Sequence, residues 1–487
     1  MSLMILGTAS HVGKSTVVAA VCRLLSDRGC SVAPYKSQNM SLNSYVTRDG
    51  AEIGIAQAMQ AFAARVEPRA EMNPILLKPK GDRSSQIVLM GRPYRDVSIA
   101  DYYRETDALL ECALEAYDRL AADPDCIVVE GAGGAAEVNL YARDIANMRL
   151  AERLGLPIVL VADIERGGVF AQVCGTIALL PAPIRKLVRG VIVNKFRGDP
   201  ALFEDGVEIL EALSGVPVLG VLPYAELDLP SEDSLSIADK QCRDHPVRIA
   251  VVRFPRISNF TDFEALERRA AVDYVRPGAP LDGYDCVILP GTKNTMEDLA
   301  HLHASGGAGE VVRARAAGVP VVGICGGYQM LGRRIEDDGV EDRAGTLPGL
   351  DLLSVETRFA AYEKTTRQSE RAACPVGPIL SRMGTVAGYE IHMGETVRDP
   401  GVLPAFGDDG SVSDDGLVIG TYLHGLFQNP SAVDGLLSYL HERRRLPYEP
   451  VADDDPYRRL AVLVAENVDL DRLLGLALES ADGAFVV

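Results

Sequence analysis

The stretch Gly7-Thr-Ala-Ser-His-Val-Gly-Lys-Ser-Thr decides the fold of the first half of the chain. It follows a short apolar run, Leu3–Leu6, and leads into an amphipathic stretch, Ser15–Arg28. A glycine-rich turn between a strand and a helix suits phosphate binding, because backbone N–H groups and the helix N-terminus then face the phosphates. The sequence therefore predicts a phosphate-binding loop at the end of the first strand of an α/β domain.

Individual positions of this loop predict how a nucleotide is held. Lys14 is placed to reach the β- and γ-phosphate oxygens, and the Ser15 hydroxyl is placed to ligate Mg²⁺. Five residues separate Gly7 from Gly13, so Thr8 stands where the common pattern has its first glycine. We expect ATP to be bound by Thr8, Gly13, Lys14, Ser15 and Thr16.

Two later strand ends add polar groups to the same predicted site. The run Cys126–Val129 closes on Glu130 and a glycine-rich loop, and a carboxylate there suits Mg²⁺ beside Ser15, although Glu130 could instead cap a helix. The run Gly190–Val193 closes on Asn194, whose side-chain amide could read the edge of a nucleobase. Ligands of parallel sheets bind beyond the carboxyl ends of the strands, which is where these residues fall.

The order of predicted elements indicates two α/β domains. Strand-length apolar runs alternate with helical patterns, which favours doubly wound, mainly parallel sheets with helices on both faces. Residues 225–246 are polar and indicate a linker, and a second series starts at Val247. We expect domains at residues 1–235 and 246–440, followed by a helical C-terminal tail at 441–487. The Asp- and Gly-rich run 408–416 predicts an exposed turn.

Composition excludes several classes of protein. The chain has 487 residues and a formal net charge of −19, which disfavours non-specific nucleic-acid binding. Its nine cysteines are scattered without a C-x-x-C pair, which argues against a disulfide framework or a clustered zinc site. No segment approaches the roughly 20 apolar residues of a membrane span. We therefore expect a cytoplasmic protein with no membrane and no nucleic-acid partner, and its oligomeric state stays open.

The second half contains a predicted cysteine nucleophile. Cys325 follows the buried run Val321–Ile324 and precedes two glycines, so a tight strand-to-helix turn would expose its thiol. The N–H group of Gly326 would then be available as an oxyanion donor. A cysteine nucleophile needs a base, and His424 closes a strand-like run before a glycine. His392 is the second choice among the seven histidines.

These motifs resemble two known families. The phosphate loop and the Glu130-Gly-Ala-Gly-Gly run resemble the dethiobiotin-synthetase-like P-loop enzymes, which phosphorylate a carboxylate with ATP. Cys325 and His424 resemble the triad-type glutamine amidotransferases, and this resemblance implies a glutamine-binding role for Gln329 and an oxyanion loop at Gly291. Leu426 stands where that family usually has a triad glutamate, a gap shared by the cobyric and cobyrinic acid amidase subgroup, so the third triad member is left open.

Longer segments resemble the cobyric acid synthase family of the cobalamin pathway. They are residues 36–44, 72–80, 163–170, 194–199, 257–263 and 291–295. The resemblance implies an ATP- and glutamine-dependent ligase that amidates the b, d, e and g carboxylates of adenosylcobyrinic acid a,c-diamide, with Mg²⁺ as cofactor. It implies a corrinoid and glutamine as the small-molecule partners. The alternatives are a cobyrinic acid a,c-diamide synthase and a regulatory P-loop ATPase with a degenerate amidotransferase module.

One polar segment is expected to contact the substrate of the ATP-dependent half. Its side chains are polar and are expected to lie close to the phosphate loop, where they suit the binding of carboxylates. Its members are Lys36, Gln38, Asn39 and Asn43.

Overall fold

The computed structural model describes residues 1–80, 84–225, 244–341, 344–450 and 455–478. These residues form two compact units. The first unit takes in the described residues of Met1–Ser41, Ala51–Leu229 and Asp454–Val487, and the second takes in those of Leu42–Gly50 and Pro230–Asp453. The chain therefore enters the second unit twice, first through a short segment and then through its whole second half.

The first unit is organised around a parallel sheet. The loop predicted to bind phosphate follows its central strand, Ser2–Gly7, which pairs with a parallel neighbour on each side. From edge to edge the strands are Val218–Pro223, Val188–Phe196, Ile158–Asp163, Ser2–Gly7, Cys126–Glu130 and Val32–Tyr35.

Alternation of side chains along the central strand gives the first unit a core on each face of its sheet. Met4 and Leu6 pack into one cluster with Leu160 and Val191. Leu3 and Ile5 point to the other face and pack in a separate cluster. Both faces of the sheet are therefore buried, as expected for a sheet covered by helices on two sides.

The helices of the first unit connect or cover these strands. They are Lys14–Asp27, Ile55–Ala64, Ile99–Leu120, Met148–Leu154, Val169–Leu179, Ala182–Arg185, Glu204–Ser214, Pro456–Asn467 and Leu470–Leu478, with 3-10 turns at Ala70–Met72, Val138–Leu140 and Pro200–Phe203. A smaller sheet in the same unit orders its strands as Gln38–Met40, Ile75–Pro79, Ser84–Leu89 and Arg92–Ser98, and Glu52–Gly54 is a further short strand.

The second unit has its own mainly parallel sheet. Cys325 and His424 follow two of its neighbouring strands, which pair in parallel. From edge to edge the strands are Ala271–Val275, Arg248–Val252, Cys286–Leu289, Val321–Ile324, Val418–Thr421 and Ser411–Val412, the last of them antiparallel.

Smaller elements complete the second unit. One sheet orders its strands as Gly345–Pro348, Arg334–Asp337, Val355–Phe359 and Glu395–Arg398, a second as Thr365–Ala372, Thr385–His392 and Leu423–His424, and Ser44–Val46 is a short strand. The helices are Glu264–Glu267, Thr295–Ala304, Gly307–Ala316, Gly326–Leu331, Gly377–Leu380 and Pro430–Arg444, with 3-10 turns at Phe260–Phe263 and Leu426–Gln428.

The predicted α/β class with two mainly parallel sheets and a helical C-terminal segment is confirmed. The predicted exposed turn at 408–416 is wrong in part, because Asp409 is buried and accepts a hydrogen bond from Thr421, and Ser411–Val412 is a buried strand. Most of the predicted linker, residues 226–243, lies outside the described residues. No helix within the described ranges combines the length and apolar character that a membrane crossing requires.

Candidate functional site

Cys325 lies at a strained turn between a strand and a helix. Its backbone has φ 53° and ψ −111°, a conformation that costs a non-glycine residue of order 1–3 kcal/mol. The tight turn requires glycine at position 327, because a Cβ atom there would lie 1.9 Å from the carbonyl oxygen of Leu289. The thiol has Ile391 O as a neighbour at 3.7 Å. This geometry is that of a nucleophile elbow.

His424 is the histidine that meets this thiol, and it is held by a carboxylate. The side chain of Cys325 is hydrogen-bonded to the His424 ring. On the other side of the ring, Nδ1 lies 2.7 Å from Oδ2 of Asp262, and both side chains are almost fully buried. Oδ1 of Asp262 accepts a hydrogen bond from the N–H of Gly425 at 2.8 Å, which fixes the carboxylate relative to the ring.

The electrostatics of this trio favour a protonated ring. Burial of His424 opposes its charged form, but the Asp262 carboxylate and the hydrogen bonds to Asp262 and Cys325 outweigh it, raising the pKa of His424 to about 10. An imidazolium next to the thiol stabilises the thiolate, which is the nucleophilic form of cysteine. The arrangement can therefore attack a carbonyl carbon and deliver a proton to a leaving nitrogen.

Asp262 was not identified from the sequence as a site residue. It lies in the 3-10 turn Phe260–Phe263, within the segment 257–263 that carried the family resemblance. That segment was the available signal, because a carboxylate just after the first strand of the second unit falls at the functional edge of its sheet. Asp262 lies on the side of the His424 ring where a third triad member is expected, the role that Leu426 leaves open.

The predicted oxyanion positions border the same centre. A Cβ atom on Gly291 would lie 3.0 Å from Cε1 of His424, and one on Gly326 would lie 2.8 Å from Cγ2 of Thr292. The loop at 291–292 thus passes beside both the ring and the residue after the nucleophile. Donation by these backbone N–H groups to an oxyanion stays a prediction.

Gln329 and His392 lie nearby in different settings. The buried amide of Gln329 accepts from Thr295 Oγ1 at 3.0 Å and donates to Met393 O at 3.0 Å and Tyr422 OH at 3.1 Å. These bonds make it part of the wall of the site, and its binding of glutamine stays a prediction. His392 stacks on Tyr422 with ring centroids 3.6 Å apart.

A buried carboxylate supports the loop that contains Gly291. Glu341 accepts hydrogen bonds from the N–H groups of Thr295 and Met296 at 2.7 and 3.2 Å, at the start of the helix Thr295–Ala304. Burial raises the pKa of Glu341 to about 8, against the lowering effect of these N–H groups. This buried group therefore holds both the start of the helix and the loop before it.

In the first unit, Glu130 is the centre of a buried polar cluster. Its Oε1 atom accepts from Ser15 Oγ at 2.8 Å and from Lys36 Nζ at 2.9 Å. Its Oε2 atom accepts from Gln60 Nε2 at 2.5 Å. The structure therefore brings together three of the predicted residues, and it adds Gln60, which sequence reasoning missed because it lies mid-helix in an apolar stretch.

The phosphate loop wraps the start of the helix Lys14–Asp27. Gly13 has φ 101°, and a Cβ atom there would lie 2.1 Å from Nδ2 of Asn194, so only glycine fits. Lys14 Nζ donates to Ala9 O at 3.1 Å and to Gly133 O at 2.7 Å. The lysine thus lies over the loop that it is predicted to serve.

The remaining predicted nucleotide contacts also lie around this loop. Asn194 donates through Nδ2 to Val12 O at 2.8 Å, so its amide braces the loop, and reading of a nucleobase stays a prediction. Thr8 Oγ1 donates to Gln172 Oε1 at 3.3 Å. Thr16 lies in the first turn of the helix Lys14–Asp27.

The predicted substrate segment is divided between the units. In the first unit, Gln38 accepts from Tyr102 OH, and Asn39 donates to Gln57 Oε1 at 2.9 Å. Asn43 belongs to the second unit, where its Oδ1 atom accepts from Phe260 N at 3.2 Å. Lys36, Gln38 and Asn39 therefore share one unit with the phosphate loop, whereas Asn43 does not.

The residues around Glu130 fit a magnesium ion bound together with a nucleotide. A hydroxyl and a carboxylate offer the hard oxygen ligands that Mg²⁺ prefers, and phosphate oxygens and water supply the rest of its octahedron. In the part of the chain that the structure describes, no cluster of three or more His, Cys, Asp or Glu side chains forms an all-protein metal site. Ser15 and Glu130 are thus the candidates for holding the ion.

Comparison with known proteins finds a matching family model for each half of the chain. Residues 3–236 match the CobQ/CobB/MinD/ParA nucleotide binding domain, and residues 248–432 match the CobB/CobQ-like glutamine amidotransferase domain. A relative from Methanosphaerula palustris is 66% identical, covering 98% of this chain and 98% of its own. Relatives from Methanoregula boonei and Methanoculleus marisnigri are each 64% identical, covering 98% and 97% of this chain and 99% and 98% of their own.

A glutamine amidotransferase domain joined to a nucleotide-binding domain defines a glutamine-dependent amide-forming ligase. All three relatives bear the name "Probable cobyric acid synthase". The chain belongs to the cobyric acid synthase family. These whole-chain relatives do not favour the diamide synthase or the regulatory ATPase.

Proposed function

We propose that this chain uses glutamine and ATP to amidate the b, d, e and g carboxylates of adenosylcobyrinic acid a,c-diamide, giving adenosylcobyric acid in cobalamin biosynthesis. The observation that carries the proposal is the 66% identity to a relative of that name over 98% of both chains. The pairing of a cysteine nucleophile with a phosphate loop supports it, because amide formation from an acid needs both ammonia and an activated carboxylate.

In the second unit, Cys325 attacks the carboxamide carbon of glutamine and forms a thioester. His424, protonated and held by Asp262, gives its proton to the departing ammonia and then accepts one from the water that hydrolyses the thioester. The backbone N–H groups of Gly291 and Gly326 stabilise the oxyanion of each tetrahedral intermediate. Gln329 helps shape the glutamine pocket.

In the first unit, Lys14 and the loop N–H groups hold the phosphates of ATP. Ser15 and Glu130 would hold Mg²⁺, which when bound would neutralise charge on the γ-phosphoryl group. Lys36, Gln38 and Asn39 orient the corrin carboxylate, whose oxygen attacks the γ-phosphorus of ATP and displaces ADP. Ammonia then attacks the carbonyl carbon of the acyl phosphate, and inorganic phosphate leaves. A carboxylate is a poor electrophile, and phosphorylation provides it with a good leaving group.

We also infer a cytoplasmic setting in which the corrinoid and glutamine are the small-molecule partners, with neither a nucleic acid nor a membrane involved. The eight cysteines of the described residues are free thiols, which suits a reducing compartment.

The test is mass spectrometry of adenosylcobyrinic acid a,c-diamide incubated with the protein, ATP, Mg²⁺ and glutamine, with each omitted in turn. Successive acid-to-amide mass shifts ending at adenosylcobyric acid are expected. In a parallel incubation with cobyrinic acid, mass shifts that stop at the a,c-diamide would instead identify a diamide synthase. Absence of any shift despite glutamine hydrolysis would refute the corrinoid assignment.

Replacing Cys325 with serine separates the two reactions. Glutamine-dependent amidation should fall to background, because a serine hydroxyl paired with His424 is a far weaker nucleophile than a thiolate. Amidation driven by an ammonium salt should persist, since the first unit needs only ammonia. Loss of both reactions in a folded Cys325→Ser variant would contradict the division of labour.

A further inference from the structure

The segment Leu42–Gly50, here termed the strap, lies in the second unit although the chain on both sides of it belongs to the first. It packs against the turn that holds the catalytic carboxylate and against a tyrosine on the catalytic ring. Residues of the strap that make these contacts are almost fully buried. Segments that connect secondary-structure elements usually run over the protein surface, whereas this short segment has buried polar side chains.

Asn43 and Ser44 fasten the strap to the turn. Asn43 Oδ1 accepts from the N–H of Phe260 at 3.2 Å. The side chain of Asn259 acts as a pairing partner for Ser44, donating to its carbonyl oxygen at 3.0 Å and accepting from its N–H at 3.3 Å. Two successive residues of the turn are therefore bound to two successive residues of the strap.

The same turn presents Asp262 to His424 on its other side. Asp262 N donates to the carbonyl oxygen of Asn259 at 3.0 Å, so the carboxylate and the strap contacts belong to one hydrogen-bonded loop. Asn259 has φ 52°, a left-handed conformation that is uncommon for residues other than glycine. Contacts with the strap help to hold this conformation.

Tyr389 connects the strap to the ring of His424 by a second route. Its hydroxyl donates to Ser44 O at 2.8 Å and accepts from Asn259 Nδ2 at 3.0 Å. Its ring stacks on the His424 ring, with centroids 5.6 Å apart and planes inclined by 23°. One face of the imidazole is thus packed on a tyrosine whose position depends on the strap.

We propose that the strap holds the turn 259–263 and the ring of Tyr389 so that Asp262 and Tyr389 orient His424, which makes Asn43 and Tyr389 positioning residues for glutamine hydrolysis. The proposal rests on the proposed function, because it assumes that Cys325 and His424 hydrolyse glutamine. It assigns to the nucleotide-binding half of the sequence a role in the chemistry of the other half.

The experiment compares Asn43→Ala, Asn43→Asp and Tyr389→Phe with the wild type in the full-length protein. Glutamate release gives kcat and KM for glutamine, and kcat is normalised to the sites labelled by a diazoketone analogue of glutamine. Normalisation removes the effect of any misfolded fraction. Tyr439→Phe, in the helix Pro430–Arg444 of the same unit, is the matched control for loss of a tyrosine hydroxyl.

Asn43→Ala and Tyr389→Phe are each expected to lower kcat per labelled site about tenfold, since a displaced base loses part of its general acid–base contribution. KM for glutamine should change less than kcat. Asn43→Asp keeps an oxygen acceptor for the Phe260 N–H and should recover much of the loss. Tyr439→Phe should behave as the wild type does.

Three outcomes are decisive. A kcat per labelled site within twofold of the wild type for Asn43→Ala and Tyr389→Phe would overturn the proposal. So would a fall in ammonium-driven amidation by Asn43→Ala while glutamine hydrolysis held, because Asn43 would then serve the carboxylate-activating site. Absence of glutamine hydrolysis in the wild type would instead refute the proposed function on which the inference rests.

Discussion

Asp262→Asn is expected to disable glutamine hydrolysis while leaving the second unit folded. The asparagine oxygen can still accept the N–H of Gly425, which preserves the local turn. The substitution removes the negative charge that lies 2.7 Å from Nδ1 of His424. It therefore changes the electrostatics of the ring more than its packing.

The size of the effect follows from the geometry. Unit charges centred about 4 Å apart at an effective dielectric constant of about 20 interact by about 4 kcal/mol, which corresponds to about three pKa units. Removing this interaction lowers the pKa of His424 from about 10 and weakens its pairing with the thiolate. Asp262 stabilises the charged ring of His424 both before the reaction and in its transition state, so only part of this interaction contributes to catalysis. We therefore expect kcat/KM for glutamine to fall about 10²- to 10³-fold.

The assay is steady-state glutamate release by the full-length protein, with thermal unfolding as the check on folding. Ammonium-driven amidation is measured in parallel, because it bypasses the second unit. Asp434→Asn, a carboxylate of the same unit that accepts from Arg269 and Tyr448, is the matched control. A decrease of less than tenfold for Asp262→Asn would refute the view that Asp262 is the third member of a triad.

Two further predictions concern buried charge. The pKa of Glu341 rises from an ordinary value of 4.5 to about 8 in the folded protein, so its contribution to stability is present below pH 4.5 and is lost as pH rises through 8. Melting curves of the wild type and Glu341→Gln between pH 5 and pH 9 should therefore show the wild type losing stability relative to the variant by a few kcal/mol as pH rises; a difference in melting temperature that does not change with pH would contradict this. In the first unit, Lys36→Met leaves the Glu130 carboxylate buried without its cation and should lower the unfolding free energy by about 3–5 kcal/mol. The double variant Lys36→Met/Glu130→Gln should recover much of that loss in denaturant titration, and a double variant as unstable as the single one would show that the pair is not the cause.

The sequence was most informative where a local pattern determines a local structure. The apolar run before Gly7 and the run before Cys325 each became a buried parallel strand, because few other structures satisfy such runs. The exposed turn expected at 408–416 was wrong in part, because Asp409 is paired with Thr421, a residue twelve positions away. A polar sequence alone does not distinguish a solvent-exposed turn from a buried turn whose polar groups are hydrogen-bonded.

The sequence predicted only those residues of the candidate site that lie in a recognisable local motif. Cys325 and His424 follow strands next to glycines, whereas Asp262 is 162 positions from the histidine that it holds. The sequence also did not predict that Asn43 belongs to the second unit, because it directly continues the polar segment that begins at Lys36. Long-range contacts determine which unit a short segment joins, and residue spacing gives no information about them.

The division of the first unit along the chain has a consequence for biosynthesis. Leu460, Val464 and Leu473, from the last two described helices, pack with Leu3 and Ile5 on one face of the sheet that forms from the earliest residues. The strands of that sheet end at Pro223, and residues 230–453 of the second unit are synthesised before these two helices. The part of the face that the two helices cover therefore stays uncovered until the end of translation, so truncation near residue 450 would remove apolar cover from the core of the first unit.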